Sequence, residues 1–203
     1  MNLFKIFITA LLIDNVVLMR FLALCPFIGM SSDESRSVGM GAAVTFVTVM
    51  ATAVTYPLYH YVLSRDGIFR NMLPEGHQGL EFLQILVFIL VIAALVQFVE
   101  FFLKKMVPSL YRAMGIYLAL ITTNCAILAV TFDVISKGYT FIESIVYSLG
   151  VALGFLISLL LLAGIRKRLR TSPIPSFLKG TPILFVAAAL LSIAFMGFKG
   201  LMQ

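Results

Sequence analysis

Charged residues are scarce in this chain. Only 12% of its 203 residues are Asp, Glu, Lys or Arg, 61% are hydrophobic, and the mean hydropathy is +1.07. A soluble globular chain is about a quarter charged. Four runs contain no charged residue at all: 39–64, 113–132, 144–165 and 180–198. Apolar and polar residues do not alternate in these runs as they do in barrel strands. A helix of roughly 20 residues crosses a bilayer core of about 30 Å, and each run is about that long or longer.

Motifs of known enzyme chemistry are also missing. Nothing resembles a nucleophile–base triad, a phosphate-binding loop or a zinc-protease helix. Neither His60 nor His77 has a second ligand at metal-binding spacing. The longest polar stretch is the loop 64–81, so the sequence leaves no room for a soluble domain and predicts a single membrane domain over 1–203.

Two further apolar segments carry isolated charges. The segment 82–103 is interrupted only by Glu100, and the segment 3–24 contains Lys5, Asp14 and Arg20. No small-residue cleavage site follows the latter, so it is interpreted as a retained first helix and not as a signal peptide. The sequence therefore predicts an all-α integral membrane protein with six transmembrane helices.

The basic residues indicate an orientation. With six spans, nine Lys and Arg fall in loops one, three and five, against five on the opposite side. The positive-inside rule then places both termini on the outer face of a bacterial inner membrane and the basic loops in the cytoplasm. This distribution explains the net charge of +6 without nucleic acid, and the cluster at 166–170 is interpreted as a solvated loop that fixes topology.

The two halves of the chain have the same pattern of spans. At an offset of 100 residues, helices one to three coincide with helices four to six, and Cys25 coincides with Cys125. A unit of three helices must reverse its orientation when it is repeated. The sequence therefore predicts two inverted repeats, about 1–105 and 106–203, with function near the bilayer midplane.

Helices one and four both contain irregular segments. Pro26 and Gly29 are expected to interrupt helix one, because proline removes a backbone donor and clashes with the preceding turn. The polar step at 122–125 interrupts helix four. Both helices are predicted to be broken, which in lipid is tolerated only where the freed backbone groups find partners or line a buried site.

Cys25 and Cys125 are the only cysteines, one beside each predicted break. The simplest interpretation is that they are small inert hydrophobes, and a disulfide is a second one. A metal site is a third: two thiolates are half of what a [2Fe–2S] cluster needs, and another subunit would have to bring the rest. The residues alone leave these alternatives open.

Several motifs resemble one family of membrane subunits. The stretches LALCPF at 22–27, GIYLALITTNCA at 115–126, AGIR at 163–166 and FMGFKG at 195–200 are similar to the A subunits of bacterial Rnf electron-transport complexes. Their superfamily also includes the E subunits of the same complexes and the D and E subunits of the sodium-pumping NADH:quinone reductase. The flavin-attachment motif of sister subunits is absent from this chain.

The resemblance implies a function that the residues alone do not. It implies a non-autonomous subunit of an ion-translocating ferredoxin/NAD oxidoreductase, in which Cys25 and Cys125 hold half of an intramembrane [2Fe–2S] cluster. An Rnf E-like membrane subunit would supply two further cysteines. The cluster would relay electrons between cytoplasmic and outer-face subunits that carry flavins and iron–sulfur clusters, coupled to Na⁺ or H⁺ transport.

Asp14, Arg20 and Glu100 lie within predicted spans, where burying a charge is expensive. They are candidates for an ion path, or they are structural charges near the interfaces. Asp14 and Arg20 are six residues apart and point in different directions on an unbroken helix, so they are not expected to pair directly.

Two other functions compete with the electron relay. A small inverted-repeat transporter or channel would have inert cysteines and would work without partners. A purely structural assembly subunit would tolerate the loss of both cysteines without any effect on electron transfer.

Overall fold

The computed structural model describes residues 3–63, 79–106, 120–121 and 123–199. In these ranges the chain is helical and forms no β-strand, which confirms the all-α prediction. Eight α-helices follow one another in this part of the chain: α1 (Leu3–Ile8), α2 (Val16–Arg20), α3 (Leu24–Met30), α4 (Glu34–Leu58), α5 (Gly79–Met106), α6 (Cys125–Ser136), α7 (Phe141–Arg170) and α8 (Thr181–Lys199). π-Helical turns extend α1 over Thr9–Ile13 and α4 over Tyr59–Leu63.

Large apolar side chains cover the outside of the described helices. Leu90 and Phe98 on α5 are 69% and 66% exposed, and Leu190 and Ile193 on α8 are 63% and 66% exposed. Such a surface suits acyl chains and not water. Two helices, Glu34–Tyr61 and Phe141–Arg170, are long and apolar enough to cross a membrane, and four shorter apolar helical stretches accompany them: Leu3–Ile13, Ile85–Phe98, Cys125–Ser136 and Thr181–Gly197.

The two long helices, α4 and α7, pack against each other, and α4 buries three threonine hydroxyls. The hydroxyls of Thr48, Thr52 and Thr55 are buried, and each donates to the carbonyl four residues earlier at 2.6 to 3.0 Å. A Cβ added at Gly41 would lie 3.1 Å from the Cβ of Leu156 and closer still to its methyl end. In lipid the hydrophobic effect does not drive helices together, so helices associate through close packing of their backbones at small residues.

The first helical segment packs against α7 at two glycines. A Cβ added at Gly150 would lie 2.8 Å from the Cβ of Ala10, and one added at Gly154 would lie 2.7 Å from the carbonyl oxygen of Leu11. Only glycine permits these distances, because any side chain at either position would push α1 and its π-helical turn away from α7.

The first helix is broken twice, once before Asn15 and again at 21–23. The side chain of Asn15 caps α2 by accepting from the backbone N–H groups of Val17 and Leu18, both at 3.2 Å. Phe21 and Ala23 then adopt left-handed backbone conformations with φ of 54° and 59°. This region costs a non-glycine residue roughly 1–2 kcal/mol, so the second break is a strained feature held in place by its surroundings.

Two details of the predicted helices were wrong. Helix one is broken, as predicted, but the breaks lie before Asn15 and at 21–23, and Pro26 does not break it. Pro26 lies in the first turn of α3, where the missing N–H is not needed. The cluster at 166–170 is the helical end of α7 and not a loop, because α7 continues through Arg170, where basic residues complement the helix dipole.

The helices pair in a pattern that a two-fold relation between the halves would produce. α1 packs on α7 while α6 packs on α4, and α2 contacts α8 while α5 contacts α6. α4 and α7 meet at the centre. The first part of helix four, 107–119, and the loop residues 64–78 lie outside the described residues. The six-span inverted repeat and the division at about residue 105 therefore stay predictions.

Candidate functional site

Cys25 lies in the first turn of α3, directly after the strained break. Its thiol is free, and the residue is exposed on the surface of the chain. The preceding Phe21 ends α2 in the left-handed conformation that usually takes glycine, while its N–H and that of Leu22 bond back to carbonyls of the helix. The strained turn therefore sets the direction in which α3 and its cysteine leave α2.

Cys125 is the first residue of α6 and follows a second break. Its thiol is also free and exposed, and its sulfur lies 3.9 Å from the carbonyl oxygen of Thr123. Asn124 caps the helix by accepting from the N–H of Ala126 at 3.0 Å. Thr122 lies outside the described residues, as do residues 115–119 of the same motif.

Asn124 holds one polar group that has no partner among the described residues. Asn124 is only 5% exposed, yet its amide nitrogen Nδ2 donates no hydrogen bond to any described residue. A buried donor without an acceptor costs roughly 1–3 kcal/mol. An acceptor beside Cys125 from outside the described residues would remove that cost.

Five charged and polar side chains form a network between helix one, α6 and α7. Lys137 donates to Asp14 at 2.6 Å and to the hydroxyl of Tyr147 at 3.2 Å. Tyr147 donates to Asp133 at 3.0 Å, and Arg20 forms an ion pair with the same carboxylate at 2.8 Å. This charge network of Asp14, Arg20, Asp133, Lys137 and Tyr147 neutralises every charge that it contains.

The charge network joins the segments that carry the two cysteines. Arg20 ends α2, just before the break that leads to Cys25, and Asp133 lies on the helix that Cys125 begins. Asp14 and Arg20 form no direct ion pair here; Lys137, Tyr147 and Asp133 connect them. Glu100 lies half-buried on α5, and its place in an ion path stays a prediction.

Further polar contacts fix the remaining parts of helix one. The amide of Asn15 donates to the carbonyl of Gly154 at 3.0 Å and to the hydroxyl of Ser158 at 2.7 Å, and all of these groups are buried. The hydroxyl of Ser192 on α8 donates to the backbone carbonyl of Leu18. The carbonyl of Leu18, in the short helix between the two breaks, thus has a partner on a neighbouring helix, as lipid requires.

The far end of α3 is held by the basic end of α7. Arg166 donates to the carbonyl of Ile28 and to the hydroxyl of Ser31, both at 3.1 Å, and Arg170 donates to the carbonyl of Ser32 at 3.1 Å. These arginines cap the C-terminal end of the helix that carries Cys25. They therefore have a structural role, which corrects the interpretation of a merely solvated cluster.

Sequence reasoning missed several of these residues. The sequence analysis does not select Asp133, Lys137 or Tyr147 as site residues. The one available signal is that Asp133 places a charge in an otherwise apolar helix. Asn15 and Asn124 were missed as caps, although Asn before an apolar helical run is a start signal. His60 stacks on Tyr56 at 6.5 Å between ring centroids, and His77 lies outside the described residues.

A family model described as "Rnf-Nqr subunit, membrane protein" matches residues 3–202 of the chain. Three full-length relatives are similar to it as well. The A subunit of the Na(+)-translocating ferredoxin:NAD(+) oxidoreductase complex of Acetobacterium woodii is 48% identical over 201 residues, 99% of this chain and 98% of that protein. The A subunit of an ion-translocating oxidoreductase complex of Syntrophotalea carbinolica is 48% identical, covering 98% and 97% of the two chains. The protein of the same name in Vibrio cholerae is 43% identical, covering 97% and 95%.

Proposed function

Since this chain belongs to the Rnf-Nqr family of membrane subunits, we propose that it is the A-type subunit of an ion-translocating oxidoreductase complex and holds half of an intramembrane [2Fe–2S] cluster. Cys25 and Cys125 would be its two ligands. The observation that carries this proposal is their placement: both thiols are free, exposed, and directly after a helix break.

The residues present fit such a group. A [2Fe–2S] cluster takes four thiolates, and this chain has two cysteines, so a homologous partner with two more would complete the set. Exposure of both thiols on the chain surface lets that partner reach them. The unpartnered amide of Asn124 adds a donor beside Cys125, where a cluster sulfur would accept.

When bound, such a cluster accepts and passes on one electron at a time between partner subunits. The chain's own residues hold the thiols in place. The strained turn at 21–23 and the arginine caps fix α3, while Asn124 fixes the start of α6. The ion pair between Arg20 and Asp133 joins the two segments. Rigid support is what a fixed ligand geometry requires.

Asp14 and Arg20 have a structural role in this proposal. Each is paired within the charge network, which removes much of the cost of a charge inside a membrane. Transport of Na⁺ or H⁺ would be a property of the assembled complex. Electron transfer from ferredoxin to NAD⁺, as the name of the Acetobacterium woodii relative states, is the reaction class proposed for the whole complex.

The test is iron content and electron paramagnetic resonance of the purified complex, with Cys25→Ser and Cys125→Ser in this chain. We expect either variant to lose most of a rhombic [2Fe–2S] signal, because one missing ligand destabilises the cluster. Thr123→Ser is the matched control, since it alters the exposed neighbour of Cys125 and no thiol. Size-exclusion chromatography shows whether each variant complex still assembles.

An unchanged signal in both assembled variants would reject the half-cluster. The transporter interpretation would then lead, and it predicts transport by this chain alone in liposomes. Loss of the signal with intact assembly would instead reject the purely structural role.

A further inference from the structure

A basic cleft lies at the end of α7, where the chain turns into α8. Its volume is about 440 Å³, and it is lined by the last turns of α7, the connecting residues and the first turn of α8. By the distribution of Lys and Arg along the chain, this end faces the cytoplasm. The cleft is separate from both cysteines and from the charge network.

Three cations line the cleft: Arg166, Arg170 and Lys179. None of the described residues that line it is acidic. Arg166 and Arg170 donate to carbonyl and hydroxyl oxygens, which orient the side chains without neutralising their charge.

The acidic residues at the start of α4, close to the end of α7, are already paired. Asp33 lies 3.6 Å from Arg36, and Glu34 lies 3.1 Å from Lys167. The positive charge of the cleft is therefore not balanced by an ion pair among the described residues.

The cleft also has apolar lining residues. Leu169, Ile183 and Leu184 line it. Next to them along α8, Phe185 and Val186 are 50% and 45% exposed. A ligand that combines an anionic headgroup with an acyl chain matches this arrangement, whereas a free anion would use only the basic half.

We propose that this cleft binds the phosphate of an anionic phospholipid of the inner leaflet, with an acyl chain along Ile183 and Leu184. Basic pockets between helices at the cytoplasmic face are suited to such headgroups. Because Arg166 also caps α3, a bound headgroup would steady the end of the helix that carries Cys25. The proposal does not depend on the cluster, so the two can fail separately.

The chain has no tryptophan, which permits a single reporter. Ile174 lines the cleft, and the Ile174→Trp chain can be reconstituted with brominated phosphatidylglycerol or brominated phosphatidylcholine. We expect the anionic lipid to be preferred about 5- to 30-fold, which corresponds to about 1 kcal/mol from each of one or two of the three cations. A Leu190→Trp chain, whose reporter faces lipid away from the cleft, should show no preference.

Adding Arg170→Gln and Lys179→Gln to the Ile174→Trp chain should bring the preference close to one. Arg168→Gln is the matched control: it removes an exposed cation of the same helix that does not line the cleft, and it should keep the preference. Circular dichroism confirms that each variant is helical. Equal quenching by the two lipids, or an equal loss in Arg168→Gln, would overturn the proposal. Full reversal by inorganic phosphate would also overturn it and identify a free anion as the ligand.

Discussion

Arg20 and Asp133 form an ion pair at 2.8 Å although 113 residues separate them in the sequence. The arginine ends the short helix before Cys25, and the aspartate lies on the helix that Cys125 begins. A single contact thus ties together the two segments whose thiols are proposed to act jointly.

The Arg20–Asp133 pair should show measurable coupling in a double-mutant cycle with Arg20→Gln and Asp133→Asn. The side chains are 41% and 13% exposed, so solvent screens the pair only partly, and we expect about 1–2 kcal/mol. The free energy of unfolding in mixed micelles, followed by circular dichroism, gives the coupling. The Asp33–Arg36 pair is the control: its side chains are 60% and 54% exposed, and it should couple by less than about 0.5 kcal/mol.

Gly154→Ala should destabilise the chain while Gly164→Ala should not. A Cβ at Gly154 would lie 2.7 Å from a backbone oxygen of helix one, whereas a Cβ at Gly164 meets nothing within 4 Å. We expect a cost of about 1–3 kcal/mol at the first position and a gain of up to about 1 kcal/mol at the second. Both glycines lie inside α7, so the same unfolding measurement compares them directly. Equal effects would show that helix one does not pack on α7 here.

Asn15→Ala should cost more than Ser158→Ala. Asn15 caps α2 and donates to two buried oxygens on α7. Its loss leaves several of these groups unpaired, which should lower the free energy of unfolding by about 2–4 kcal/mol. Ser158→Ala removes only one of these partners, and we expect about 1 kcal/mol. The comparison again uses the free energy of unfolding, and equal costs would contradict the capping role.

Asn124→Ser should lower the midpoint potential of the proposed cluster. Serine keeps the capping oxygen but removes the unpartnered amide donor, and hydrogen bonds to cluster sulfurs raise the potential. A difference of about 1 kcal/mol corresponds to roughly 40 mV for one electron. Redox titration followed by electron paramagnetic resonance measures the shift. Asn15→Ser, which alters the other cap, should leave the potential unchanged, and a shift in both variants would reject the specific role of Asn124.

Composition and spacing alone indicate that this chain is helical and lies in a membrane. A charge-free run of more than 18 residues is expected to form a helix in lipid, because there each backbone N–H and C=O group must bond within its own segment. Cys25 and Cys125 could also be selected from the sequence, since they are the only two cysteines and each lies beside an irregular helical segment. These properties follow from local composition and spacing.

The partners of the charged residues in helix one, by contrast, depend on how the helices pack. The pairing of Asp14 with Lys137, and of Arg20 with Asp133, joins residues that are 123 and 113 positions apart. No local pattern encodes such a pairing, because it depends on how helix one lies against α6 and α7. The position of the second break also differs from the prediction: it lies at 21–23 and not at Pro26. Proline is tolerated in the first turn of a helix, and the packing of α3 sets its direction.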